Sequence, residues 1–321
     1  MRPVFYARTI SILATDHSGF PGLDLIYRFI ANRRYILAGI VHLDPTAMPA
    51  ISFEFFPPKT DEQRAQLDRA AQLLKTHQPE YASVTFGAGG STLSYTGDTV
   101  ARLHTQHGLN VAPHLSCMGG TRAEVAQLLD GYRKAGYRRI VALRGDMPSG
   151  MATAGDFRYA AELVRFIREY CGDHFHIEVA AYPETHPQAD DALRDLQHFK
   201  AKIDAGANGA ITQYFFNPDA YFRFVDDVRK LGVNVPIVPG IMPITNYGQL
   251  KRFSDMCGAE IPRWIAKRMQ AHGDDAESIR ALGAEVVAQL CRRLLEGGAP
   301  GLHFYTLNRA RATEAVLQQL S

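Results

Sequence analysis

Between residue 51 and the end of the chain, short apolar runs alternate eight times with longer amphipathic stretches. In a parallel sheet covered by helices the strands are apolar on both faces and each covering helix shows a 3.6-residue period, so the alternation predicts parallel β/α units. Strands are expected at 51–56, 80–86, 110–116, 138–144, 175–181, 209–215, 235–239 and 302–306. Helices are expected near 61–76, 94–107, 121–135, 156–171, 189–204, 218–231, 246–257 and 309–319, with a helical insertion at about 262–296. Local signals agree: Asp61 can cap the first helix, Thr121 and Glu124 fit a capping box, and Gly108, Gly136 and Gly232 stand where helices should end. The class is therefore α/β, and eight units predict a (β/α)8 TIM barrel with an extra helical insertion before strand 8, its active site at the strands' C-terminal ends. A doubly wound sheet is the alternative, but Gly87-x-Gly89 is followed by Thr92 where a dinucleotide fingerprint needs its third glycine.

Composition narrows the function class. The 321 residues are 46% hydrophobic and carry a net charge of +2, enough for a large core and too balanced to favour nucleic acid or a membrane surface. Small-molecule substrates are the expectation. Cys117, Cys171, Cys257 and Cys291 are far apart, which fits a reducing cytoplasm better than a disulfide framework or a zinc site. No apolar run approaches the roughly 20 residues that span a bilayer. Residues 1–50 read as an N-terminal extension to a catalytic domain at 51–321: Asp16, His17 and Asp24 interrupt any secretory core, and 22–32 is expected as a short helix. Met48 just before the first strand suggests that the native chain starts there, which mass spectrometry of the N-terminus would test.

A carboxylate stands inside the first apolar strand, Ile51-Ser52-Phe53-Glu54-Phe55-Phe56, which Pro57-Pro58 closes. Strand alternation sends Ile51, Phe53 and Phe55 one way and Ser52, Glu54 and Phe56 the other. A glutamate there must find a partner or hold its proton; a structural ion pair and a catalytic group are the two readings. Polar residues collect at the other strand ends: Thr85, His114, Arg144-Gly145-Asp146, Tyr182, Glu184 and His186, Gln213, and Tyr305. A barrel would gather them into one rim. His114 is as readily a satisfied core histidine as a ligand-binding one, Asp146 as readily a turn or capping residue, and Gly87–Ser91 a plain βα turn or a backbone surface for a cofactor. His174 and His176 lie at the opposite end and read as structural. Convergence of His114, Asp146, Glu184 and His186 on a cation is the competing chemistry, though no ligand pair has the spacing of a metal motif.

Eight segments, SFEFFPPK at 52–59, SVTFGAGGS at 83–91, APHLSC at 112–117, IVALRGD at 140–146, AAYPETHP at 180–187, DAGANGAITQYFF at 204–216, PGIMPITN at 239–246 and HFYTLNR at 303–309, together resemble the methylenetetrahydrofolate reductase family. The resemblance implies an FAD-dependent barrel that reduces 5,10-methylenetetrahydrofolate to 5-methyltetrahydrofolate with NADH or NADPH, feeding methionine synthesis. It implies non-covalent FAD contacts at Thr85, His114, Leu143, Arg144, Gly145, Asp146 and His186, and in less distinctive stretches at Tyr159, Ala160, Asp195 and Lys202. Substrate contacts are implied at Glu54, Gln213, Phe253, Tyr305 and Arg309. Glu54 is then the proton donor for ring opening, Asp146 steadies the cationic folate and tunes the flavin, and Gln213 meets the pterin edge. Ping-pong turnover through one pocket, with NADH as donor by similarity to the short bacterial forms, is expected. The leader has no counterpart in those forms, and absence of the eukaryotic regulatory domain predicts no inhibition by S-adenosylmethionine. A homo-oligomer is expected, with the 262–296 insertion available for pairing. A metal-dependent barrel lyase or hydrolase, and a non-catalytic folate- or flavin-binding barrel, are the competing readings.

Overall fold

The computed structural model describes residues 34–37, 40–43, 49–86, 93–117, 120–145 and 155–320. The strands of the larger unit, residues 49–321, are β1 (Ala50–Phe55), β2 (Tyr81–Val84), β3 (Val111–Ser116), β4 (Arg139–Leu143), β5 (His176–Ala181), β6 (Gly209–Thr212), β7 (Ile237–Val238), β8 (Gly240–Ile241) and β9 (Gly301–Tyr305). All neighbours pair in parallel, in the order β8-β9-β1-β2-β3-β4-β5-β6-β7. The two ends of that order, β7 and β8, are separated in sequence only by Pro239, so the ring is closed and the nine ladder segments form the eight strands of a barrel. The expected seventh strand therefore runs on to Ile241 and is broken because Pro239 has no N–H to give the ladder. Its carbonyl still accepts the His303 N–H at 3.0 Å. Gly240 permits the tight passage there: a Cβ on it would lie 2.1 Å from the Thr212 carbonyl oxygen and 2.6 Å from the Tyr305 ring.

The covering helices are α1 (Asp61–Lys75), α2 (Leu93–Thr105), α3 (Arg122–Lys134), α4 (Ala160–Cys171), α5 (Ala192–Asp204), α6 (Pro218–Lys230), α7 (Tyr247–Cys257) and α10 (Ala310–Leu317); α8 (Arg263–Ala271) and α9 (Ala276–Glu296) form the insertion. The Thr121–Glu124 capping box is made, whereas α1 is capped by Thr60, one residue before the expected Asp61. The expected strand over 209–215 stops at Thr212 because Tyr214, Phe215 and Phe216 are buried outside the ladder. Burial without pairing looks the same in sequence as a buried strand.

The sheet separates two cores of different chemistry. Outside it, Ile51, Phe53, Phe55, Phe304 and the inward faces of the helices form one large apolar cluster. Inside it, Tyr81, Ala112, Val141 and Ile211 form a small one, and the remaining inner positions carry buried Ser52, Ser83, His114, Glu178 and His303. The inner face of β1 is thus polar rather than apolar. In the other unit, residues 1–48, Arg34–Leu37 and Ile40–Leu43 pair antiparallel. No strand was expected there; Tyr35, Ile36, Ile40 and Val41 supply the β-branched and aromatic character that favours one. The expected helix at 22–32 lies outside the described residues.

Candidate active site

Glu54 leaves β1 on the inner face, in register with Ser83 on β2 and Tyr305 on β9. Its backbone is firmly held. The Thr306 hydroxyl and N–H donate to the Glu54 carbonyl at 2.6 and 3.3 Å. Buried Asn308 brackets the next residue but one, donating its amide N–H to the Phe56 carbonyl at 2.8 Å and accepting the Phe56 N–H at 3.0 Å. Asn308 sits at φ +54, a left-handed conformation that asparagine tolerates better than most side chains.

The Glu54 carboxylate meets histidines rather than the cation of an ordinary ion pair. Its Oε2 lies 3.5 Å from His114 Nε2 and 3.8 Å from His303 Nε2. Both distances are longer than a hydrogen bond. Both Nε2 atoms are buried and, among the described residues, have no hydrogen-bond partner. Burial pulls His114 down to about 4, with the Glu54 charge opposing and His303 adding, so the ring is neutral at neutral pH. A neutral imidazole cannot neutralise a carboxylate, and His114 is not a satisfied core histidine either. His303 is oriented by Ser52, whose Oγ lies 2.7 Å from Nδ1. The Glu54 side chain, 20% exposed, reaches the mouth while its two neighbours stay below.

A second group forms around the ends of β4 and β5. Arg144 donates to the Gln188 side chain, which ties the β4 end, including Leu143 and Gly145 (φ +76), to the loop after β5. In that loop the His186 N–H donates to Asp195 on α5 at 2.8 Å, and His186 Nδ1 accepts the Gln188 N–H at 3.0 Å. Because Nδ1 accepts, the neutral ring carries its hydrogen on Nε2. Lys202, on the same α5 face as Asp195, donates to the Ala180 carbonyl at 2.5 Å. Burial lowers its ammonium to about 8, against the pull of Asp195. Exposed Tyr159, just before Ala160 opens α4, stacks on His198 of α5 with centroids 5.7 Å apart. Asp195, His198 and Lys202 follow the i, i+3, i+7 spacing of one helical face, the signal that would have found His198.

The third group faces α7. Gln213 Oε1 accepts the Tyr214 N–H at 2.9 Å, leaving its amide hydrogens to point elsewhere. The Tyr214 hydroxyl meets Ser254 Oγ at 3.1 Å, one residue from half-buried Phe253. The Tyr305 hydroxyl donates to the Thr212 carbonyl at 2.6 Å. Arg309 is exposed at the start of α10, and Thr85 closes β2 with its N–H on Phe55 at 2.9 Å. Asp146 and Gly87–Ser91 lie outside the described residues. Sequence reasoning passed over Ser52, His303 and Asn308, although Ser52 and His303 each stand two residues before a singled-out position and so share its strand face. Among the described residues no three His, Cys, Asp or Glu side chains group as a metal site; Glu184 turns to the Glu260 N–H instead, at 2.9 Å. His174 and His176, at the far end, bond to Arg138 and Glu178. No helix among the described residues is long and apolar enough to cross a membrane.

The family model for methylenetetrahydrofolate reductase matches residues 41–321. The 5,10-methylenetetrahydrofolate reductases of Salmonella typhimurium and Escherichia coli are each 41% identical over 270 residues, covering 84% of this chain and 90% of theirs. Methylenetetrahydrofolate reductase (NADH) 1 of Arabidopsis thaliana is 36% identical over 284 residues, 84% of this chain and 48% of that one. Among solved structures, an uncharacterized Clostridium thermocellum protein that binds two copies of 5-methyl-5,6,7,8-tetrahydrofolic acid shares the fold, with a TM-score of 0.60 at 16% identity over 92% of this chain and 97% of that one. A closed barrel with a polar rim and relatives this similar over most of its length place the chain in the methylenetetrahydrofolate reductase family, alongside its short bacterial members.

Proposed function

We propose that the chain reduces 5,10-methylenetetrahydrofolate to 5-methyltetrahydrofolate with electrons from a nicotinamide nucleotide, NADH by preference, through non-covalently bound FAD. The observation that carries the chemical part is Glu54: a carboxyl at the barrel mouth whose charged-type neighbours within 4.0 Å, among the described residues, are two histidines. Opening the methylene-bridged ring breaks the bond between the bridging carbon and the departing nitrogen, which needs one proton; hydride then reaches the cationic carbon and completes the methyl group. Glu54 supplies the proton. His303, with Nδ1 turned to Ser52, steadies the carboxyl from below, and the pinning of β1 by Thr306 and Asn308 keeps it aimed at the mouth.

The residues around β4 and β5 fit a dinucleotide cofactor. They combine two cations, Arg144 and Lys202, a left-handed Gly145 that lets backbone approach a ligand and the exposed Tyr159–His198 stack; on adjacent β3, the buried His114 Nε2 has bonding capacity to spare. FAD held there supplies a carrier that accepts hydride from one substrate and gives it to the next. Gln213, Phe253, Tyr305 and Arg309 form the substrate side, and Asp146 keeps the role of steadying the cationic folate. One shared face implies ping-pong turnover, and the methyl product suits methionine synthesis.

The test is an anaerobic half-reaction titration. The purified protein should be yellow, bleach with NADH or NADPH, and recover its colour with methylenetetrahydrofolate. A colourless protein that takes up no FAD would overturn the reading, and activity lost to a chelator would favour metal-dependent chemistry.

A further inference from the structure

Glu184 takes no part in the chemistry above, yet its carboxyl joins two walls of the site. We infer that Glu184 is a positioning residue that fastens the end of α7, on the substrate side, to the loop after β5, on the cofactor side, so that ordering one wall orders the other. The inference rests on the assignment of those walls under the proposed function.

The tie is direct. Glu184 Oε2 accepts the backbone N–H of Glu260 at 2.9 Å, just beyond α7. Its Oε1 is buried and, among the described residues, has no hydrogen-bond partner. Burial pushes the carboxyl above its ordinary value, against the pull of the Glu260 N–H. Pro187 closes the same seam: a Cβ on Gly258, the left-handed cap of α7 at φ +76, would lie 3.4 Å from its ring. From the strand side, Tyr214 holds Ser254 of α7 at 3.1 Å. A narrow cleft lined by Tyr182, Glu184, Gln213, Tyr214, Cys257 and Ala259 lies between the walls.

The loop is also conformationally committed. Thr185 has φ +71, an unfavourable value for a β-branched residue, which persists only where flanking contacts over-determine it. Those contacts are Glu184 to Glu260 on one side and the His186 N–H to Asp195, at 2.8 Å, on the other. Cofactor bound against His186 and Asp195 would thus stiffen the loop that carries Glu184, and the carboxyl would pass that order to residues 257–262.

Hydrogen exchange of the FAD-loaded and FAD-free protein, read over residues 257–262, tests this alongside steady-state kinetics. In the wild type, FAD should slow exchange of these amides. In Glu184→Ala the slowing should be lost, with exchange in the loaded protein about tenfold faster, and KM for folate and nicotinamide should rise more than kcat falls. Glu184→Gln, which keeps an acceptor for the Glu260 N–H, should restore both. Wild-type exchange and KM in loaded Glu184→Ala would overturn the inference, as would a Glu184→Gln that binds FAD but behaves like the alanine variant. If the alanine variant does not load FAD, Glu184→Asp, which withdraws the carboxyl by one methylene, takes its place with the same two outcomes. A wild type that binds no FAD at all removes the proposed function, a result distinct from either.

Discussion

The two ends of the barrel hold the same kinds of side chain and use them in opposite ways. At the floor, the carboxylate of Glu178 is met by Arg139 at 2.6 Å and His176 at 3.0 Å, and Arg139 also binds Glu80 at 2.6 Å and lies over the Tyr81 ring at 4.3 Å. At the mouth, Glu54 is met by two histidines at 3.5 and 3.8 Å, one of them neutral through burial. The Glu178 carboxylate is locked by a guanidinium at hydrogen-bond distance, whereas Glu54 has no such cation among the described residues. With the floor's charge bound into structure and the mouth's assigned to the proposed chemistry, variants at the two ends should fail by different measurements.

The largest effect belongs to Glu54→Gln. Loss of the proton donor should slow flavin reoxidation by methylenetetrahydrofolate by about 10²–10⁴-fold, while flavin reduction by NADH stays near wild type. Stopped-flow absorbance of each half-reaction separates them, and equal loss in both would refute the role. Stability should change by less than about 1 kcal/mol or rise, because catalytic carboxyls are rarely optimal for folding. Arg139→Met reverses the pattern. It strands Glu178, whose side chain is 5% exposed, and should cost about 3–5 kcal/mol in urea unfolding, with the half-reaction rates of the folded protein little changed.

Much of this contrast was legible in the sequence. The eight-fold alternation, the capping box at Thr121 and the polar strand ends describe the barrel and its rim because they depend on local period and on burial, which a single chain shows. What the sequence did not show was pairing between neighbouring strands that lie far apart along the chain. Ser52 and His303 lie 251 positions apart and meet at 2.7 Å, and Asn308 brackets Phe56 across a similar gap. The break at Pro239 and the end of pairing after Gln213 were missed for a related reason: an apolar segment buried as a loop has the composition of one buried in a ladder. Glu54 was read in apolar surroundings because most residues of its strand are apolar; apart from Ser52, the polar inner face comes from other strands, through Ser83, His114, Glu178 and His303.

The pH axis separates the ends again. His114 is lowered from 6.5 to about 4, so the unfolded chain binds a proton there before the folded one does. Its contribution is present above 6.5 and drains away as the pH falls toward 4, by about 3 kcal/mol for a group so deeply buried. Burial alone would raise Glu178, but its bond to His176 and the charges of His176, Arg139 and His303 hold it below 4.5. The stability it gives is present above that value and lost only below it. Urea midpoints measured between pH 7 and 4 should therefore fall in the wild type and flatten in His114→Gln. A slope unchanged in that variant would show that the mouth histidine is not what titrates.

The smallest effect tests whether the floor is built as tightly as its bonds suggest. A Cβ on Gly209 would lie 2.5 Å from Glu178 Oε2, the oxygen that has no hydrogen-bond partner among the described residues. The carboxylate cannot swing aside, because its other oxygen is held by both Arg139 and His176. Gly209→Ala should therefore cost about 1–3 kcal/mol, although alanine normally suits a strand better than glycine. In a Glu178→Ala background the same substitution should cost almost nothing, since the atom it strikes is gone. Additive losses would mean that Gly209 is needed for backbone conformation and not for the carboxylate. Strong coupling would locate the demand for glycine in the charge network, and would mark the floor as the end of the barrel whose residues are chosen for one another.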